Sequence, residues 1–410
     1  MISTALQRWT AREDKALAFS SFRKFLYGSF IVRSADWMDL TILNWLVYQW
    51  TGSAVALGIV NACRLIPIIF FSLHGGVLAD RYDRKKILLI CYGGIILSTV
   101  LLAYLAYMKV AIVLFYGAIV LRSLFMTIEV PVRNAFLADL VDHRCLPNAI
   151  SLQTMVINLA RMVGPALAGW LLVKYSASEL FIVVAAGMTM ILFLLPKIEV
   201  TQNRELEKKI VKEQKNDWKE TFRYIRENRL IVSILLIAIA PMVFGFPYTT
   251  MLPLFADELM VMGPDGFGLL LSVSSIGAII STMILSIKKP THQGKVLVLS
   301  ALGFGLCLGF FILFRESYLI SLILILIVGF TSQLYRTMSR ITLQMNVEET
   351  LRGRVLSVAL MDRAYIPLGS LLIGFIAGQF GAVAAGLFMG MGCFAITLLI
   401  AWQRPGLWKT

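Results

Sequence analysis

Residues 197–228 read KIEVTQNRELEKKIVKEQKNDWKETFRYIREN, the one long hydrophilic stretch in the interior of the chain. Everything around it is apolar runs of bilayer-crossing length, about 20 residues each, separated by short polar punctuation. Six such runs precede it, near 26–50, 53–79, 87–108, 110–139, 147–174 and 178–196. Six follow, near 229–256, 266–287, 295–314, 317–345, 353–380 and 383–402. The stretch is therefore a linker, and the expected fold is an all-α polytopic membrane protein of twelve transmembrane helices in two six-helix bundles. The segments are then 1–25 as an N-terminal piece, 26–196 and 229–402 as bundles, 197–228 as linker and 403–410 as tail. Trp218, Phe222, Ile225 and Arg229 recur at helical intervals, which predicts an amphipathic helix in the latter part of the linker. A solvated tether with some helicity is the alternative.

Composition excludes the other broad classes. Of 410 residues, 58% are hydrophobic and only 15% charged, against roughly 25% charged in soluble domains. A soluble enzyme, a disordered chain and a collagen-like fibre are all inconsistent with that balance. The five cysteines have no C-x-x-C spacing, and His74, His143 and His292 do not cluster, so no disulfide framework, metal site or cofactor is expected. No G-x-x-x-x-G-K-[ST] loop occurs, which argues against ATP as the energy source. The first 24 residues carry mixed charge and no apolar core before a cleavage site, so no removable signal peptide is read there.

The net charge of +14 has its explanation in topology. With both termini cytoplasmic, the inner segments hold 27 of the 38 Lys and Arg residues and the outer loops only Lys109, Lys174 and Arg315. That is the positive-inside bias of a multi-pass membrane protein, and it removes the need for a nucleic-acid partner.

The two halves align without gaps at an offset of 206 near the fourth and fifth spans of each: Leu137 on Leu343, Val141 on Val347, Asp142 on Glu348, Ser151 on Ser357. Parallel six-span repeats are one way in which transporters build a midplane site. Between spans two and three, GVLADRYDRK (Gly76 to Lys85) resembles the G-x-x-x-D-R-x-x-R-K signature of the major facilitator superfamily. With Asp83 where many relatives have glycine, it looks like the drug:proton antiporter branch that includes enterobactin exporters and macrolide efflux proteins. WTGS (Trp50 to Ser53), PVRNAFLADLV (Pro131 to Val141), RMVGPALAG (Arg161 to Gly169) and LRGRVLSV (Leu351 to Val358) extend the likeness over nearly the whole chain. Gly164-Pro165 is similar to the antiporter motif of exporters, with Ala168 in place of its first paired glycine.

The resemblance implies a bacterial inner-membrane secondary transporter of the major facilitator fold, working by alternating access. It implies conformational gating by Gly76, Asp80, Arg81, Asp83, Arg84, Gly164, Pro165, Arg352 and Arg354, with Asp80 helping to close the inner side. Read from the residues alone, Asp80 at a helix end can pair with neighbouring arginines or face a helix N-terminus, and the basic residues are alternatively plain topology determinants.

Charges inside the membrane are the remaining signal. One at the bilayer centre costs at least about 2.5–3.5 kcal/mol, so each is a functional hypothesis by default. Arg33, Asp36 and Asp39 repeat every three residues on one face of span one. Arg64, Arg122, Glu129, Arg161 and Asp362 with Arg363 lie in spans two, four, four, five and eleven, and Arg336 and Arg340 near the inner end of span ten. Asp36 leads as proton or substrate site, with Asp39 and Glu129 as alternates, because a carboxylate alternately buried and exposed can take up and release protons. A static lock of Asp36 by Arg33, Arg64 or Arg161, and of Glu129 by Arg133, is the competing reading. Arg122 occupies the span where the superfamily often carries an arginine linked to proton transfer, followed here by Leu124 and Phe125. Trp37, Met38, Trp45 and Tyr48 surround the span-one acids in sequence and suit an amphipathic guest.

The expectation is thus a non-enzymatic, monomeric exporter of an amphipathic small molecule of drug, macrolide or siderophore class, coupled to protons, with the bilayer, the substrate and protons as its partners. An importer or uniporter on the same fold, and a non-transporting scaffold or sensor acting through the linker, are the alternatives. An enzyme acting on lipid is least favoured, since the loops offer no compact nucleophile and base.

Overall fold

The computed structural model describes residues 16–200, 218–287 and 292–408, and within them the chain is helical with no strand. The helices are α1 Ser20–Thr51, α2 Ala54–Arg81, α3 Arg84–Tyr107, α4 Ile112–Ala138, α5 Leu146–Leu172, α6 Ala177–Leu194, α7 Trp218–Glu227, α8 Arg229–Ala240, α9 Tyr248–Leu254, α10 Pro264–Ile287, α11 Gln293–Leu313, α12 Tyr318–Asn346, α13 Glu349–Leu360 and α14 Tyr365–Gln403. Among the described residues, nine helical stretches are long and apolar enough to cross a membrane. One of them, Arg354–Gln403, holds the last two expected spans, and α1 and α2 are the other two, α1 thinned of apolar character by Arg33, Asp36 and Asp39.

Helix ends follow local chemistry. Ser176 and Glu179 form a reciprocal capping box at the start of α6, and Asn228 accepts from the backbone amides of Leu230 and Ile231 at the start of α8. The break between the last two spans falls at Gly381, whose φ of 85° and ψ of 168° define a backbone conformation confined in practice to glycine.

Two expected spans are not continuous helices. The seventh is interrupted by π-helical turns at Pro241–Gly245 and Phe255–Leu259. Pro241, Pro247 and Pro253 each remove an amide donor there and crowd the preceding turn. The eleventh is α13, a 3-10 turn at Met361–Ala364 carrying Asp362 and Arg363, and the first part of α14. Pro367 is tolerated because it falls in the first turn of α14.

Packing groups the described residues into two units. The first comprises 16–42, Pro67–Ala168 and 174–200. In it α3 packs along α4 and α6. The second comprises Leu43–Ile66, Gly169–Val173 and 218–408, with α11 and α10 each packed along α12 and α11 also along α14. Its core includes Leu57, Phe255, Phe267, Phe304, Tyr335 and Met389, all buried. Polar bonds hold the Leu43–Ile66 segment within this unit: Tyr48 donates to Asp257 at 2.9 Å, and the Asn61 amide donates to Thr250 at 2.8 Å and Ser370 at 2.7 Å. Such bonds and close packing, rather than hydrophobic burial, hold helices together in lipid.

The linker helix expected from Trp218 onward is α7, Trp218–Glu227; residues 201–217 lie outside the described residues. In α7, Thr221 and Ile225 are buried and Tyr224 half-buried, while Phe222 is exposed. The packed stripe therefore includes the expected Ile225 but runs through Thr221 in place of Phe222.

Candidate functional site

The first unit brings five of the intramembrane charges together with one more arginine. From α1, Arg33, Asp36 and Asp39 project along one face; α4 answers with Arg122, Glu129 and Arg133, at intervals of seven and four residues. Arg33 places one guanidinium nitrogen 3.0 Å from Asp36 and donates through the other to Glu129 at 2.7 Å. Glu129 Oε1 also accepts from the Tyr92 hydroxyl of α3 at 2.8 Å and pairs with Arg133 Nε at 3.0 Å. Arg122 pairs with Asp39 and lies 3.9 Å from Asp36.

Three acids thus face three arginines, and the cluster is neutral overall. The balance of formal charge matters because the side chains are almost wholly buried: Glu129 is 1% exposed, Asp39 0% and Arg122 4%. An unbalanced charge at such depth would cost several kcal/mol. The acids are held unequally. Glu129 has three partners on one oxygen, whereas neither Asp36 oxygen accepts a hydrogen bond of good geometry among the described residues, and its side chain is the most exposed of the three at 11%.

Glu129 with Arg133 was foreseeable from their spacing of four. Tyr92 was not foreseen. Its only sequence signal is a Cys-Tyr-Gly-Gly interruption in an otherwise aliphatic run. Tyr92→Phe is expected to lower stability by about 2 kcal/mol, the cost of losing a buried hydrogen bond to a charged acceptor, read as a lower melting temperature of the purified protein in detergent. An unchanged melt would mean that the hydroxyl contributes nothing to holding Glu129.

On α5, the Arg161 guanidinium lies 5.6 Å from the Trp37 ring centre, within cation–π range. Trp37 thus stays beside the acidic face of α1. Trp45 and Tyr48 do not: Trp45 stacks on Phe267 at 6.2 Å and Tyr48 bonds Asp257, both in the second unit. Gly164 lies one turn beyond Arg161, and a Cβ there would stand 2.7 Å from both the Ser34 carbonyl oxygen and Trp37 Cβ. The helices α1 and α5 approach too closely for any larger residue. Pro165 is buried within α5 beside it. Arg64 is half-buried on α2 in the second unit, as is Asp362 in the Met361–Ala364 turn.

Three described residues of the loop signature, Asp83, Arg84 and Lys85, make helix-end contacts. Asp83 caps α3, accepting from the amides of Lys85 at 2.8 Å and Lys86 at 3.2 Å. Arg84 bonds Asp139 at 2.5 Å and the Ala135 carbonyl at 3.0 Å, which covers the C-terminal end of α4. Lys85 donates to the Pro196 and Ile198 carbonyls just past α6. Two of the sequence motifs therefore meet, GVLADRYDRK through Arg84 and PVRNAFLADLV through Asp139. Arg81 is exposed and Arg354 half-buried; the side chains of Gly76, Asp80 and Arg352 lie outside the described residues.

A family model described as transmembrane secretion effector matches residues 15–405. The staphyloferrin A transporter of Staphylococcus aureus is 33% identical over 387 residues, covering 92% of this chain and 94% of that protein. Macrolide efflux protein A of Streptococcus pyogenes is 24% identical, covering 84% and 86%, and an enterobactin exporter of Shigella flexneri 24% identical, covering 80% and 77%. Among solved structures, the xylose transporter of E. coli in an inward open conformation superposes with a TM-score of 0.72 at 12% identity, covering 93% of this chain and 96% of that one. A peptide transporter bound to sulfate superposes with a TM-score of 0.73 at 16% identity, covering 95% of each chain. Identities this low speak to fold alone.

Proposed function

The chain belongs to the transmembrane secretion effector family of the major facilitator superfamily, and on that premise we propose that it exports a siderophore- or macrolide-class small molecule in exchange for protons. It is a multi-pass transporter with the all-α major facilitator fold. The observation that carries the proposal is the likeness along nearly the full length to proteins named for siderophore and macrolide transport.

The proposed mechanism starts from the balanced cluster on α1, α3 and α4. Protonating Asp36 would leave Arg33 partnered by Glu129 and Arg122 by Asp39, so one proton changes the cluster's charge by one without abandoning either arginine. Protonating Glu129 would strip Arg133 of the carboxylate it contacts and weaken the hold on Arg33. Asp36 is therefore the acid best suited to exchange a proton as access alternates, with Asp39 and Glu129 holding the cluster's geometry. Two six-helix bundles joined by the 197–228 linker supply the moving bodies in this scheme, with Gly164-Pro165 setting the close approach of α5 to α1 and the Asp83-Arg84 loop tying helix ends within the first unit. The 27 to 3 distribution of Lys and Arg supports cytoplasmic termini in the bacterial inner membrane, and a single chain is the proposed transporting unit.

The test is accumulation of labelled siderophores, macrolides and cationic dyes in cells expressing the wild type or Asp36→Asn, with and without a protonophore. Lower accumulation with wild type only, abolished by the protonophore, is the expected result, with Asp36→Asn present in the membrane at normal level. Extrusion unaffected by Asp36→Asn, with an unchanged pH profile, would overturn Asp36 as the coupling site. Deletion-sensitive uptake in place of extrusion would reverse the direction.

A further inference from the structure

We infer that a cavity inside the second unit, walled by α12, α13 and the Met361–Ala364 turn, binds a soluble polycarboxylate, and that this is the anionic end of the transported molecule. The inference rests on the transport reading and narrows its substrate class. The cavity has a volume of about 200 Å³ and is lined, among the described residues, by Arg336, Arg340, Arg363 and a single acid, Asp362. Among the described residues of its wall, Arg340 and Arg363 stand against that one acid.

The contrast with the first unit is what gives this weight. There, three arginines meet three carboxylates and the account closes within the protein. Here it does not. Asp362 is one carboxylate among three guanidinium groups, and among the described residues Arg340 and Arg363 have no carboxylate at ion-pair distance. Arginines inside a membrane protein carry a large insertion penalty, and a surplus of them around one cavity is balanced when a polyanion enters.

The remaining lining suits oxygen-rich ligands. Ser339 and Gln344 offer a hydroxyl and an amide. The Tyr335 side chain is fully buried on the cavity wall, and its hydroxyl makes no hydrogen bond of good geometry among the described residues. Arg336 is positioned in advance, its guanidinium 4.1 Å above the Phe246 ring, which is itself packed against Phe304 at 5.3 Å. Arg340 follows one turn later on the same face of α12. Planar guanidinium forks in this arrangement match carboxylates two oxygens at a time, which a lysine would not do. Met242, from the first π turn of the seventh span, closes one side; such turns recur at functional sites.

Size sets a further limit. Drug-sized ligands occupy roughly 300–1,000 Å³, so the cavity admits a charged arm and not a whole macrocycle. A permanently cationic guest would meet repulsion.

The probe is tricarballylate, with its neutral trimethyl ester and erythromycin as controls, titrated by calorimetry against the full-length protein in phosphatidylcholine nanodiscs. Tricarballylate should bind and the ester should not. Arg340→Gln and Arg363→Gln should each weaken binding about tenfold or more, whereas Asp362→Asn should tighten it. That opposite sign separates a binding role from simple loss of structure, and melting temperatures of the variants within a few degrees of wild type complete the control. No tricarballylate binding by the wild type, binding indifferent to both arginine substitutions, or weaker binding in Asp362→Asn would each overturn the inference. Repeating the titration in phosphatidylglycerol nanodiscs distinguishes the source of the anion. Complete suppression there, persisting at an ionic strength at which the protein in phosphatidylcholine still binds, would assign the cavity to lipid headgroups and overturn the soluble polycarboxylate. Binding is read without transport, so tricarballylate binding in a protein that extrudes nothing would sink the export reading alone, and intact extrusion without binding would sink this one alone.

Discussion

Glu129→Leu is expected to destabilise the folded protein by about 3–5 kcal/mol, the range for removing one partner from a buried ion pair. Glu129 is 1% exposed and its Oε1 is shared by Arg33, Arg133 and Tyr92 at 2.7, 3.0 and 2.8 Å. Leucine removes the charge and both oxygens at once. Arg133 then has no carboxylate of those it contacted, Arg33 retains only Asp36, and the cluster carries one positive charge in a low-dielectric interior. The measurement is thermal unfolding in detergent, together with the yield of monodisperse protein. Glu129→Gln, which preserves shape and one acceptor, should fall between wild type and leucine. Adding Arg133→Met to Glu129→Leu should recover part of the loss, because it restores the charge balance that the first substitution broke. A leucine variant that melts with the wild type would show that these contacts do not hold the bundle, and the assignment of Asp36 as the loosely held member would lose its basis.

Gly164→Val is the second large effect, about 3 kcal/mol, in the upper part of the range for overpacking a tight contact. The cause is purely steric. A Cβ at 164 would lie 2.7 Å from the Ser34 carbonyl oxygen and from Trp37 Cβ, and 3.2 Å from the Met38 amide nitrogen. Two of those are backbone atoms of α1, which no rotamer change can move, so α1 and α5 must separate. Separation also withdraws Trp37 from beneath Arg161. Pro165→Ala should be far milder, since it restores a helix hydrogen bond without adding bulk toward α1. The pair of variants separates close approach from a proline kink as the reason for the Gly-Pro sequence. If Pro165→Ala proves the more damaging in thermal unfolding and membrane yield, the kink is what matters and the contact geometry is not.

Span one shows how much of the site could be read in advance and where that ended. The three-residue repeat of Arg33, Asp36 and Asp39 places them on one face by helical periodicity alone, and the structure puts that face against charge. Which arginine answers which acid was open, with Arg33, Arg64 and Arg161 all available to Asp36. The structure puts Arg122 on Asp39, Arg33 between Asp36 and Glu129, and Arg161 over Trp37. The loop signature behaves likewise. Asp83 at the start of α3 is a helix cap visible from its position, while Arg84 reaches Asp139, 55 residues away, by a fold no local pattern encodes.

The sequence by itself determined the class of protein and the apolar runs of spanning length. It could do so because a bilayer acts on each segment separately: a spanning helix satisfies its own backbone hydrogen bonds, so its length and apolar content are local properties. Tertiary structure alone decided the pairings, since Arg33 and Glu129 lie 96 residues apart and meet only through the rotation of α1 against α4. It alone also gathered Arg336, Arg340 and Arg363 around Asp362 among the described residues. Those outcomes depend on which faces of distant helices turn toward each other, and that is a property of packing, which no single span contains.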